Sequence, residues 1–165
     1  MKNLIKDKKI VIIDIETSGI FCGEDGNRPS RIVRVDATKI ENGKVGETYS
    51  SLVACKERIP SHIVMLTGIS NETLKSAPKI KKVLKELKKF IDGYEVYARY
   101  SKFVNKFLSY YAKKNKEYIN LAKSDDYDEV SMFINSRTIR DYLKHTTENE
   151  PLILAELVVK NFNCT

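Results

Sequence analysis

Residues 10–19 read Ile10-Val11-Ile12-Ile13-Asp14-Ile15-Glu16-Thr17-Ser18-Gly19. The β-branched run around Asp14 is short and is preceded by Lys8 and Lys9, which predicts a buried strand. Side chains alternate along a strand with a period of two, so Asp14 and Glu16 point to the same side at its end. Two carboxylates converging there repel each other, and a hard divalent cation such as Mg²⁺ or Mn²⁺ relieves the repulsion while activating water. Taken alone, the Asp-x-Glu spacing is better read as a strand that simply ends in polar residues.

Outward from this strand, Gly19, Gly23, Gly26 and Pro29 mark a loop. Residues 31–40 and 44–54 bracket Glu41-Asn42-Gly43, and Asn-Gly supplies the positive φ angles of a tight hairpin. Three antiparallel strands are therefore expected to open the chain. Pro60 to Ile69 predicts a short helical or turn segment closed by Gly68, which caps without a Cβ penalty. From Pro78 to Ile91 the apolar positions Ile80, Val83, Leu84, Leu87 and Ile91 recur at three and four, the spacing of one helical face. Tyr94 to Ala98 reads as another strand. Phe103, Phe107, Leu108 and Tyr111 read as the inner stripe of a second helix, and these aromatics fit a core better than a base-stacking platform. Residues 113–129 predict a loop or frayed helix end, Met132 to Ile134 a short last strand, and Leu152 to Phe162 a closing helix.

At 165 residues and 42% hydrophobic composition, the chain suits one compact domain over residues 1–165. It holds no run of about 18 apolar residues to span a bilayer, and lysines and an aspartate stand near the start where a secretory signal needs an apolar stretch. A soluble, cytoplasmic protein without a membrane partner is expected. Cys22, Cys55 and Cys164 are odd in number and widely spaced, which fits reduced thiols rather than a disulfide framework or zinc site. The net charge of +7 and pI near 9.2 favour contact with a polyanion such as nucleic acid. The lysines between Lys79 and Lys89 read as a solvated face or as a phosphate track, and composition favours the solvated face.

The string VIIDIETSG at residues 11–19 resembles the first motif of the DnaQ-like, proofreading-type 3′→5′ exonucleases, a hydrophobic run followed by D-x-E-T-T-G. The likeness continues through RIVRVDATKIENGKVGETYSSLV, through the L-T-G-I segment at Leu66–Ile69, and through Arg99 to Leu108, which matches the family's middle motif in placement. The order and spacing of these pieces, from residue 9 to residue 162, make the resemblance specific. It implies a ribonuclease-H-like α/β fold: a mixed five-stranded sheet, its first three strands antiparallel, with helices on its faces. It also implies two-metal phosphodiester hydrolysis at a single-stranded 3′ end of DNA or RNA, alone or attached to a DNA polymerase or another protein.

By this resemblance Asp14, Glu16 and Glu150 are the metal ligands and His145 the general base toward water. Thr17, Ser18, Gly19, Leu66, Thr67 and Phe103 would meet the terminal nucleotide. The chain departs from the family at telling places. The middle motif usually reads H-N-x-x-F-D-x-x-F-L, and valine at position 104 stands where its aspartate belongs. Glu150 replaces the last aspartate, Arg34 stands where a glutamate is common, and only a short segment separates Ser136 from His145. One weakly held Mg²⁺ or Mn²⁺ and impaired catalysis are expected; a non-catalytic nucleic-acid- or protein-binding descendant is the alternative.

Overall fold

In the computed structural model, which describes residues 4–23, 28–144 and 149–162, the run around Asp14 forms strand β1 (Lys9–Thr17). Strand β2 (Ile32–Glu41) lies antiparallel to it and to β3 (Lys44–Leu52). The β2–β3 hairpin turns at Asn42 and Gly43, with φ of 51° and 68°, the left-handed values that Asn-Gly adopts with little strain. Strand β4 (Glu95–Tyr97) joins the other edge of β1 in parallel. Among the described residues the mixed sheet has four strands, in the order β3-β2-β1-β4.

Six helices accompany it among the described residues. Helix α1 (Ser61–Thr67) stops at Gly68, whose φ of 70° is left-handed. Helix α2 (Ile80–Ile91) buries Val83, Leu84, Leu87 and Ile91, the face its three-four periodicity defines. Then come α3 (Ser101–Lys114), α4 (Glu129–Ile134), α5 (Arg137–Leu143) and α6 (Glu150–Phe162). None of the described helices is long and apolar enough to cross a membrane.

The expected fifth strand at Met132–Ile134 is instead part of α4, so the sheet is one strand shorter than the sequence implied. Asp128 decides the matter locally. Its carboxylate accepts from Ser131 N at 3.0 Å, while the Ser131 hydroxyl accepts from Asp128 N at 2.8 Å, a reciprocal cap that starts a helix. The other Asp128 oxygen accepts from the buried Tyr97 hydroxyl at 2.7 Å, which ties β4 to α4.

Alternation along β1 divides the core in two. Val11, Ile13 and Ile15 pack with α2 and α3 on one face, whereas Ile10 and Ile12 pack with α4, α5 and α6 on the other. Truncating a fully buried leucine such as Leu87 costs about 2–5 kcal/mol, so the sheet that carries the carboxylates is held from both sides.

Candidate active site

Asp14 and Glu16 share the face of Ile10 and Ile12 through the period-two alternation of β1. In the antiparallel register Asp14 lies directly opposite Asp36, and Glu16 directly opposite Arg34. These four side chains therefore project from one face, the face covered by α6. Glu150 is the first residue of α6. Asn149 positions it: its carboxamide accepts from Leu152 N at 3.1 Å and its carbonyl from Ile153 N at 3.2 Å. Pro151 is tolerated because the first turn of a helix needs no backbone donor there.

The cluster is electrostatically crowded. Burial holds the Asp14 carboxyl well above the usual aspartate range, and the charges of Glu150, Glu16 and Asp36 push it the same way against one stabilising hydrogen bond from the backbone at Ile15. Burial also raises Glu16, offset by Arg34 and reinforced by Asp36 and Glu150. Burial raises Glu150, with Arg99 opposing. Among the described residues, Asp14 is thus the one member of the three without a cation beside it.

Two arginines supply the charge the others receive. Arg34 Nη2 lies 3.7 Å from Glu16 Oε1, and its Nε lies 2.7 Å from Asp36 Oδ2. The second contact is an ion pair rather than an aligned hydrogen bond, since the buried Nε–H has no acceptor in line. Asp36 also accepts from the Ser50 hydroxyl at 2.6 Å. Arg99, only 9% exposed, places Nη1 3.4 Å from Glu150 Oε1. Its guanidinium stacks 4.7 Å over the Tyr100 ring and donates to the Tyr100 hydroxyl at 2.9 Å. Tyr100 itself holds a left-handed backbone (φ 51°, ψ 51°), which costs a non-glycine residue about 1–3 kcal/mol. Asn135 and Asp125 stabilise it, accepting from Tyr100 N at 3.0 Å and Ser101 N at 2.8 Å.

Position 104 falls elsewhere. Val104 is 1% exposed and belongs to the apolar cluster that contains Ile13, Ala98 and Phe107, so the position aligned with the family's middle-motif aspartate lies in the core rather than among the carboxylates. Phe103 is half-buried against Phe107, ring centroids 4.9 Å apart. The loop after β1 is fixed by paired bonds: Ser18 N donates to Arg31 O and Arg31 N to Ser18 Oγ, each at 2.8 Å. Thr17 Oγ1 donates to Gly19 O at 2.7 Å. A Cβ on Gly19 would stand 2.7 Å from Ser30 Oγ, so only glycine fits there unless Ser30 turns away. Leu66 is 79% exposed, while Thr67 Oγ1 donates to Ile63 O and accepts from Ile69 N, at 2.8 and 3.1 Å. His145 lies outside the described residues.

The donor chemistry of Asp14, Glu16 and Glu150 suits one hard divalent cation. As the side chains stand, however, no three His, Cys, Asp or Glu residues among those described are grouped to hold a metal. Arg34 and Arg99 engage two of the three carboxylates, and a cation must compete with them. Asp36 and Arg99 are the residues sequence reasoning missed as members of the cluster. For Asp36 a signal existed, since it follows Arg34 by two on a strand expected to pair with β1. A cavity of about 820 Å³ at the far end of α6, lined by apolar groups such as Phe133, Ile139, Leu157 and Phe162, lacks this chemistry.

Comparison with known proteins agrees with this architecture. A family model described as Exonuclease (RNase T) matches residues 11–150. The chain is 31% identical over 118 residues to the DNA polymerase III subunit epsilon of Aquifex aeolicus, covering 69% of this chain and 56% of that protein. It is 34% identical over 106 residues to the PolC-type DNA polymerase III of Caldanaerobacter subterraneus subsp. tengcongensis, 64% of this chain but 7% of that one. The chain thus spans little more than half of one relative and a small part of the other. Among solved structures, a 3′-exonuclease described in 3′-end specific recognition of a histone mRNA stem-loop has a TM-score of 0.65 at 16% identity, covering 96% of this chain and 65% of that chain. E. coli exonuclease I in complex with a dA16 oligonucleotide has a TM-score of 0.58 at 13% identity, covering 67% of this chain and 24% of that chain. These likenesses show a ribonuclease-H-like exonuclease fold.

Proposed function

Because this chain belongs to the DnaQ-like exonuclease family, we propose that it is a single domain that engages a single-stranded 3′ end of nucleic acid in the Asp14–Glu16–Glu150 cleft. Mg²⁺ or Mn²⁺ binds there weakly at one position, and phosphodiester hydrolysis is strongly impaired. The observation that carries this reading is the charge balance of the cleft: Arg34 and Arg99 already neutralise Glu16 and Glu150, and a buried valine at position 104 adds no further ligand.

Asp14, Glu16 and Glu150 would hold the cation, whose chemistry when bound is to polarise the phosphate and lower the pKa of water. The backbone of Thr17, Ser18 and Gly19, pinned to Arg31, presents a fixed surface to the terminal nucleotide. The exposed Leu66 offers an apolar edge to its base, with Thr67 and Phe103 completing the contact. His145 would accept the proton from water. In the second reading the domain binds nucleic acid or a protein such as a DNA polymerase without turnover, a reading favoured by the arginines standing where cationic charge is needed.

Calorimetric titration with Mn²⁺, followed by incubation with a 5′-labelled single strand, tests the proposal. One weak site and slow or no laddering of the strand are expected. Two tightly held ions and rapid laddering would overturn it.

A further inference from the structure

We propose that the lysine ridge formed by α2 and the end of α3 is a second nucleic-acid contact, one that binds the phosphate backbone without reading sequence. The proposal rests on the reading that this domain acts on nucleic acid, and it adds a surface distinct from the cleft. Helix α2 packs through Val83, Leu84, Leu87 and Ile91 onto the face of the sheet that carries Ile13. The carboxylates point from the opposite face.

Lys79, Lys81, Lys82, Lys85, Lys88 and Lys89 are all exposed on or beside α2. Lys113, Lys114 and Lys116 continue the ridge at the end of α3, also exposed. Lys85 bridges the two elements through Glu117 at 3.9 Å, and the shallow hollow of about 440 Å³ between them is lined by Lys85, Lys88, Lys89, Asp92 and Glu117. Nine lysines against Glu86, Asp92 and Glu117 place six of the chain's net +7 charges here. Among the described residues only Lys82, at 3.8 Å from Glu86, and Lys85 have acidic partners, both at long range.

A merely soluble surface does not call for this arrangement. Lys81 and Lys85, and Lys85 and Lys89, are like charges four apart, a spacing that destabilises a helix by a few tenths of a kcal/mol per pair. Lys79, Lys81 and Lys82 crowd the N-terminal end, where the helix dipole disfavours cations and where no acidic residue stands in the first turn. The pattern costs local stability for the sake of concentrated charge.

The partner follows from what the ridge lacks. None of the exposed large apolar side chains lies on α2. A protein interface needs an apolar centre and is depleted in lysine, whereas a phosphate track needs cations alone. The twelve residues of α2 rise about 18 Å, the axial length of about five nucleotides of duplex.

The test is fluorescence anisotropy with a labelled 30-nucleotide single strand and its duplex, in EDTA, across a series of salt concentrations. Wild type is compared with Lys81→Gln/Lys85→Gln/Lys88→Gln/Lys89→Gln and with a control, Lys44→Gln/Lys56→Gln/Lys75→Gln/Lys144→Gln, that lowers net charge equally. The ridge variant should flatten the slope of log K against log salt by about 3 and lose roughly tenfold or more in affinity at low salt, while the control holds close to wild type. Equal slopes in ridge variant and wild type, or equal losses in ridge variant and control, overturn the ridge and leave the cleft reading standing. Failure of the wild type to bind either probe at low salt overturns the ridge, and failure that persists when Mn²⁺ replaces EDTA overturns both.

Discussion

Arg99, at the start of the α3 segment, reaches Glu150, at the start of α6, with 3.4 Å between Nη1 and Oε1. The pair joins two elements far apart in sequence and gives a half-buried carboxylate its counter-charge. Arg99→Gln should therefore lower the melting temperature in EDTA modestly, because the half-buried Glu150 is left unpaired. The same variant should bind Mn²⁺ roughly tenfold more tightly, a gain of about 1.4 kcal/mol, and Arg99→Lys, which keeps the charge but loses the planar stack on Tyr100, should fall between the two. Calorimetry and melts with and without Mn²⁺ read both effects. Unchanged or weaker Mn²⁺ affinity in Arg99→Gln would show that the guanidinium does not compete with a cation.

The crowding around Asp14 predicts a pH dependence of opposite sign to that of a paired aspartate. Its folded pKa is raised above the ordinary 3.8, so its contribution to stability is fully present below that value and is lost as pH rises toward the folded pKa, because the unfolded chain ionises first. Without metal, the domain should lose stability on this account as pH rises from about 4 toward neutral. Asp14→Asn removes the charge at nearly constant shape and should stabilise the metal-free domain at neutral pH by on the order of 1 kcal/mol. Denaturation at pH 5 and pH 8 in EDTA checks it; a variant less stable than wild type at pH 8 would contradict the crowding.

Asp128 behaves in the reverse sense. Burial raises its carboxyl, but the Ser131 N–H, the Tyr97 hydroxyl and Lys8 outweigh burial and hold it below the usual range. Its stabilisation is present above 3.8 and is lost as pH falls through the folded pKa. Asp128→Ala removes the cap of α4 and leaves the buried Tyr97 hydroxyl only its longer bond to Glu95 Oε2 at 3.2 Å, which should cost about 1–2 kcal/mol. Tyr97→Phe in the same background should change stability little, since the hydroxyl it removes then has only the bond to Glu95. Urea denaturation of the two single variants and the double variant measures it.

The parts of the fold that were legible are those whose signals are local. The β1–β2–β3 meander follows from β-branched runs and Asn42-Gly43, and α2 from an apolar stripe repeating at three and four. Helix α4 was misread because Met132 to Ile134 is too short a run for period two and period 3.6 to differ, and the deciding bonds come from Asp128 upstream. Helix α5 gave no stripe, since Ile139 is its one buried residue. In the carboxylate cluster, the shared face of Asp14 and Glu16 was readable from spacing within one strand, while their expected role as metal ligands came from the family resemblance. Asp36 needed the β1–β2 register, and the Arg99–Glu150 pair needed the packing of α6 against the sheet, neither of which a linear string records.

Val104 brings this lesson to a test, because motif placement put it in the cleft and the structure buries it with Ile13, Ala98 and Phe107. If the burial governs, Val104→Asp forces a carboxylate among apolar side chains that offer no donor, at a cost of about 3 kcal/mol. Ionisation deepens the penalty, so the loss should be larger at pH 8 than at pH 5, the sign expected for a group whose folded pKa is raised. Mn²⁺ should then restore little, and neither metal affinity nor strand shortening should rise. Val104→Thr separates charge from polarity: nearly isosteric, it should cost about 1–2 kcal/mol through its buried hydroxyl with no dependence on pH. Thermal melts of both variants at the two pH values, with and without Mn²⁺, decide the matter. Recovery of the Val104→Asp melting temperature by Mn²⁺ would mean that position 104 opens onto the carboxylates, and that its valine alone separates this cleft from a fuller ligand set.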